Sequence, residues 1–179
     1  SLGLEWVLYK LKSKFRINVI LINCNNTPFE IWLNNNQINS FSLTYKNKYL
    51  DFIPTILKIL FILFNLKPKI VHCHLRKASL LGLIASSLLF IKKRIYTRHH
   101  GRESCIEITE SLIDKLVFSL ATDIISISNE IKDMTLEHTN ISKHKVKTIH
   151  HGFNLSYFNQ SSTNKFNKIK KKYNLKKNY

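Results

Sequence analysis

"KIVHCHLRKASLLGLIASSLLFIKKRIYTRHHG" (residues 69–101) is the stretch on which the fold turns. It opens on a short β-branched run, KIVHC, and closes on another, RIYTR. Between them lies an apolar segment, 77–90, long enough for several helical turns. A strand, a helix and a second strand in about 30 residues make a βαβ unit, which joins neighbouring parallel strands. Most of the strand-like runs along the chain are short and continuously apolar, not alternating, as strands are when a sheet is covered on both faces. Each run also delivers histidines at its end: His72 and His74 where KIVHCH closes, His99 and His100 after RIYTR.

The same alternation extends in both directions. Residues 17–23, 38–43, 123–127 and 145–150 read as further strands. Residues 4–14, 28–36, 50–66, 107–121 and 128–138 read as helices. Thr27-Pro28 is a cap followed by a first-turn proline, Pro68 closes the helix before it, and Ser128 can cap the helix it precedes. Gly82, inside an apolar helix, suits close packing rather than a ligand. The expected architecture is α/β, a Rossmann-like doubly wound parallel sheet. After residue 155 the chain turns polar, as linkers do, before a short basic stretch, "FNKIKKKYNL", that could start a helix. We therefore expect one domain over 1–155, with 156–179 leading away from it.

Composition narrows the function. The 179 residues carry 28 Lys and Arg against 11 Asp and Glu, a net charge of +17. Such a surface suits an anionic membrane, a phosphate-rich ligand or nucleic acid. Lysine far outnumbers arginine, and asparagine and isoleucine are abundant throughout, so composition itself accounts for part of the charge. The lysines are scattered, and no RNP-like aromatic stretch or recognition-helix motif accompanies them, so nucleic acid is not an expected partner. Cys24, Cys73 and Cys105 form no CxxC pair and sit near apolar runs, as buried free thiols do in a reducing compartment. No signal-peptide pattern opens the chain, and the longest uncharged apolar run falls short of the ~20 residues of a spanning helix. The expectation is a cytoplasmic protein that could sit peripherally on the inner membrane face. The chain opens without Met and closes on "KKYNLKKNY", which reads as truncation at both ends.

In an open parallel sheet, ligands bind at the carboxyl ends of the strands. His72, His74, His99, His100, His150 and His151, six of the eight histidines, fall at that edge. Gly101 and Gly152 follow two of the pairs and let backbone approach a ligand. Ser128 opens a helix at the same edge, where backbone N–H groups favour anions. Three readings of the histidines compete: a polar ligand site, a metal site, and polar caps on strand ends. No HExxH-like spacing favours metal, and no GxGxxG, P-loop or GxSxG motif is present.

The order of these segments resembles the N-terminal, acceptor-side domain of family-4 glycosyltransferases, which have the GT-B fold. "SLGLEWVLYKL" resembles the loop and helix after that family's first strand, which is itself missing here. "KPKIVHCHLRKASLLGLIAS" resembles its P-D-hydrophobic-V-H-x-H segment, and "RIYTRHHG" its strand ending in T-x-H. "LATDIISISNEIKDM" resembles the strand running into a Ser-headed helix, and "KVKTIHHGFNLSYF" the passage to the second domain. The resemblance implies a retaining transferase that moves a sugar from a nucleotide-sugar to a glycan or lipid-linked acceptor, in cell-surface polysaccharide or glycolipid assembly. Residues 156–179 would begin a nucleotide-sugar-binding domain, without which the chain should turn over little.

By the same resemblance, His99 would contact the transferred sugar, with His100 the alternate because the doubled histidine leaves the register open. Gly3 would lie near the donor phosphates. His74, Arg98, Gly101 and Ser128 would line the cleft, and Gly152 and Asn154 would sit at the interdomain turn, where Asn154 replaces the more usual Asp. No cofactor and no metal are expected. An anionic membrane is a natural place for lipid-linked acceptors, and the basic region 57–69 could touch it, although packing on the sheet is its simpler role. The rival reading, from a different class, is a basic non-catalytic module that binds membrane or nucleic acid.

Overall fold

The computed structural model describes residues 2–99, 108–137, 141–150, 152 and 171–172. The chain falls into two units, residues 16–151 and residues 1–15 together with 152–179. The smaller unit contributes helix α1 (Leu2–Leu11). The larger alternates β1 (Asn18–Ile22), α2 (Pro28–Asn35), β2 (Asn39–Leu43), α3 (Phe52–Leu66), β3 (Ile70–His74), α4 (Arg76–Leu88), β4 (Lys93–Arg98), α5 (Ile108–Leu120), β5 (Asp123–Ser126), α6 (Asn129–Glu137) and β6 (Val146–Thr148). Each element expected from the sequence is present, its ends moved by up to three residues. Of the stretch "FNKIKKKYNL", only Lys171 and Lys172 are described, and both are helical.

Every strand pairing is parallel. The strands form two sets, β1–β2 and β3–β4–β5–β6, with no ladder between the sets among the described residues. A run of apolar residues reports that a strand is covered, not which strand lies beside it, so this division was not readable from the sequence. A shared apolar core spans both sets: Ile56, Ile59 and Leu63 of α3 and Leu81 and Ala85 of α4 pack with Ile20 and Ile22 of β1, Leu43 of β2 and Val71 of β3.

The register of the four-stranded set shows how its second core is built. Cys73, Tyr96, Ile124 and Val146 are successive partners across β3, β4, β5 and β6, and all four are buried. Leu83 of α4 and Val117 and Phe118 of α5 cover this row. Gly82 is needed where α4 crosses it: a Cβ there would lie 2.8 Å from Cys73 Sγ. Burial pushes the Cys73 thiol up to about 12, so it is an inert apolar filler, as expected. Cys24 is a free thiol but only half-buried, with its S–H directed at Ile22 O. Cys105 lies outside the described residues.

Local chemistry ends the helices where the sequence suggested. Thr27 Oγ1 accepts from Glu30 N at 3.3 Å, and the Glu30 carboxylate reaches back to Asn26 N and across to the Ser42 hydroxyl. Lys67, at φ 46°, terminates α3 immediately before Pro68. The C-terminus of α5 is capped by distant cations. Lys145 Nζ donates to Phe118 O, and Arg94 Nε donates to Leu120 O at 2.7 Å. Both positive charges sit at the negative end of the helix dipole. Part of the net positive charge is therefore structural.

Candidate functional site

β3 and β4 bring three imidazoles together. Side chains two apart on a strand share a face, so His72 and His74 stand together, their ring centroids 4.3 Å apart. His74 pairs in register with Thr97, and His99 follows Thr97 by two residues. The result is a four-residue column at the carboxyl ends of two adjacent strands. His72 Nε2 lies 2.7 Å from Thr97 Oγ1, and His74 Nδ1 lies 3.2 Å from His99 Nε2. The His74 and His99 ring centroids are 5.6 Å apart.

The turn after His74 is held under strain. Leu75 takes φ 67°, ψ 145°, a region leucine enters at a cost of about 1–3 kcal/mol. Three contacts fix it. Leu75 O accepts from Ser79 N at 2.9 Å and from the Ser79 hydroxyl at 2.7 Å. The next residue, Arg76, makes a two-pronged ion pair with Asp114 of α5, at 3.0 and 3.3 Å. The position of His74 is thereby tied to two helices.

The electrostatics favour the neutral form of His72. His72 retains open surface, yet the protein atoms around its ring disfavour its charged form, and its coulombic interaction with His99 disfavours it further. Its pKa is lowered from the ordinary histidine value. A neutral imidazole can both donate and accept, which suits a site that reads hydroxyl groups. Among the described residues, no group of three His, Cys, Asp or Glu side chains is arranged to hold a metal ion.

The other sequence-predicted residues fall in several places. Arg98 is buried on the opposite face of β4, its guanidinium 5.2 Å from the centre of the Phe118 ring. In register with it stand Ser126 and Thr148, whose buried hydroxyls have no hydrogen-bond partner among the described residues. Ser128 caps α6: its Oγ accepts from Ile131 N at 3.2 Å, and its carbonyl accepts from Lys132 N. Its hydroxyl is thus engaged in starting a helix. In the smaller unit, Gly3 and Gly152 are neighbours, with Gly152 O 3.6 Å from where a Gly3 Cβ would be. Gly152 has no positive φ. His100, Gly101, His151 and Asn154 lie outside the described residues. Thr97 was not singled out by sequence reasoning, and His72 was placed at the sheet edge without a role of its own in the site. The signal was available, because both share strand parity with a neighbouring candidate histidine.

The comparisons agree with this geometry. A family model described as Glycosyltransferase Family 4 matches residues 6–157. A search of curated proteins finds no matching sequence. Among solved structures, a glycosyltransferase from Rickettsia africae ESF-5 is similar with a TM-score of 0.71 at 21% identity, over 98% of this chain and 46% of that one. Anabaena Alr3699/HepE in complex with UDP-glucose is similar with a TM-score of 0.68 at 16% identity, over 99% of this chain and 47% of that one. A UDP-GlcNAc 2-epimerase from Methanocaldococcus jannaschii is similar with a TM-score of 0.59 at 13% identity, over 76% and 46% of the two chains. The chain spans less than half the length of each of these proteins. At these identities the likeness is one of fold, and it supports the Rossmann-like reading.

Proposed function

Because the chain belongs to glycosyltransferase family 4, we propose that it is the acceptor-side domain of an enzyme that transfers a hexosyl group from a nucleotide-sugar to a glycan or lipid-linked acceptor. Transfer proceeds with retention at the anomeric carbon, in cell-surface polysaccharide or glycolipid assembly on the cytoplasmic side. In this reading residues 1–155 form the acceptor-side domain, and 156–179 lead into a nucleotide-sugar-binding domain that the reaction needs. The observation that carries it is the column of His72, His74, Thr97 and His99 at the carboxyl ends of β3 and β4, where an open parallel sheet binds its ligand. A fold neighbour, HepE, has been solved with UDP and with UDP-glucose, which supports a nucleotide-sugar as the donor class.

The chemistry asks little of a strong base. The bond from the anomeric carbon to the diphosphate breaks, the acceptor oxygen bonds that carbon on the same face, and the acceptor proton passes to the leaving phosphate. His99 contacts a hydroxyl of the transferred sugar and helps balance charge at the reacting centre, with His100 the alternate. His74 holds the ring of His99. Gly3 gives the donor phosphates close access to backbone. The reading calls for no metal ion and no cofactor.

The test is turnover by the natural full-length protein with a panel of UDP- and GDP-sugars and a lipid-linked or oligosaccharide acceptor. The expected result is diphosphate release coupled to a product whose anomeric configuration, read by NMR, matches the donor. Absence of transfer from every donor, or inverted product, overturns the reading.

A further inference from the structure

The turn from α2 into β2, "LNNNQINSF" (residues 33–41), carries a run of side-chain amides that the proposed reaction does not use. Asn36 closes α2: its Nδ2 donates to Trp32 O at 2.9 Å, and its backbone N–H reaches Trp32 O and Leu33 O. Asn34, Gln37 and Asn39, with Ile38, Ser40 and Phe41, line an open groove of about 430 Å³. That is the size of a small-molecule pocket. It lies at the amino end of β2, whereas the histidine column stands at the carboxyl ends of β3 and β4, and the two share no residue.

Asparagine is abundant throughout the chain, so surface amides alone decide nothing. The backbone of the turn decides more. Gln37 takes φ 57°, in the left-handed region that suits glycine and that glutamine seldom enters. Gln37 N donates to Asn34 O and Ile38 N to Leu33 O, both at 3.0 Å, and Ile38 is only 4% exposed, so the turn is pinned to the core. The polar atoms of the groove are under-used. The Ser40 hydroxyl meets Asn34 Oδ1 at 3.5 Å and Asn39 Nδ2 meets Asn18 Oδ1 at 3.4 Å, both long for hydrogen bonds. Among the described residues nothing else bonds the side chains of Asn34 and Asn39, and nothing bonds the Gln37 amide. β2 pairs only with β1 among the described residues, so its outer edge keeps backbone N–H and C=O groups open as well.

We infer that this groove binds a neutral saccharide unit and, on the proposed reading of the reaction, holds a distal part of the glycan acceptor. Only the second clause rests on that reading. The lining selects the ligand class. In a chain of net charge +17, no Lys, Arg, Asp or Glu is among the residues that line the groove, so nothing there complements a phosphate or a carboxylate. An amide offers a donor and an acceptor side by side, matching adjacent hydroxyls that each donate and accept. The half-buried Phe41 adds an apolar surface for the C–H face of a pyranose ring.

Saturation-transfer difference NMR on the natural full-length protein tests it, with maltotriose, cellotriose and triacetylchitotriose as probes and no donor present. At least one trisaccharide should bind, and rising salt should not displace it, because no charge lines the groove. The double variant Gln37→Gly, Asn39→Ala removes two amides, and glycine suits φ 57°, so circular dichroism should match the wild type. This variant should bind at least ~5-fold more weakly. Its turnover on a short acceptor should be unchanged, while KM for a long acceptor should rise. Retained binding in a protein that transfers no sugar supports the groove and removes only its link to the reaction. No binding of any of the three trisaccharides, or undiminished binding by the folded variant, overturns the inference. So does binding that His99→Ala abolishes, which would give the saccharide to the histidine column.

Discussion

His74 Nδ1 and His99 Nε2 meet at 3.2 Å across the ends of two adjacent parallel strands. A hydrogen bond between two imidazoles needs one N–H and one lone pair, so the two rings share a single proton at this contact. Protonating both would set N–H against N–H. The contact therefore fixes the His99 ring in place and couples its far nitrogen to the state of His74.

For the proposed reaction this makes His99 the first residue to replace. His99→Ala in the natural full-length enzyme should lower turnover at least ~10-fold, the scale on which a positioned imidazole acts. Its ring is only half-buried, so circular dichroism and unfolding midpoint should hold. Unchanged turnover would remove His99 from the chemistry and move the role to His100.

His72 should leave a mark on stability rather than on turnover alone. Its folded pKa is lowered, by desolvation first and by His99 second. The fold thus favours neutral His72, and its contribution is intact above the ordinary histidine value of about 6.5. Stability should fall as pH drops from there through the depressed folded value. Urea unfolding across that range should show a steeper loss for the wild type than for His72→Asn. Parallel curves would contradict the account.

Gly82 is an exception to the rule that alanine strengthens a helix. Replacing glycine by alanine inside a helix gains up to ~1 kcal/mol from backbone entropy. Here the new methyl would lie 2.8 Å from Cys73 Sγ, in a row buried under two helices. Overpacking of this kind costs about 1–3 kcal/mol, so Gly82→Ala should lower stability on balance. Adding Cys73→Ala removes the clashing sulfur, and the double variant should recover most of the loss in chemical denaturation. A stable single variant would show that β3 and α4 have room to separate.

Much of this was legible beforehand, and the parts that were not have separate causes. The alternation of short apolar runs with amphipathic segments placed all six strands of the larger unit, because period and length are local properties. The histidine column followed from strand ends alone. Its membership did not: strand parity puts Thr97 beside His74 and turns Arg98 to the other face, toward Phe118. The outer face of α3 was hidden for a different reason. A helix apolar all round reads as buried from sequence, and only the fold shows that one side is exposed among the described residues. The division of the described strands into β1–β2 and β3–β4–β5–β6 depends on which strands are neighbours, and composition does not encode that.

The strained Leu75 turn yields the last prediction. Leu75 holds a positive φ between His74 and α4, and the Arg76–Asp114 pair is one of the contacts that keep it there. The Asp114 side chain is nearly buried, so Asp114→Ala leaves a guanidinium without its carboxylate in a poorly solvated place. The expected cost is about 2–4 kcal/mol in urea unfolding, more than an exposed pair would give. Replacing both partners, Arg76→Met with Asp114→Leu, removes the unpaired charge and should restore part of that stability. The double variant still lacks the tether on the turn. If the turn positions His74 and through it His99, turnover of the double variant should stay low after stability recovers. A double variant that regains both would reduce the pair to a structural contact between α4 and α5.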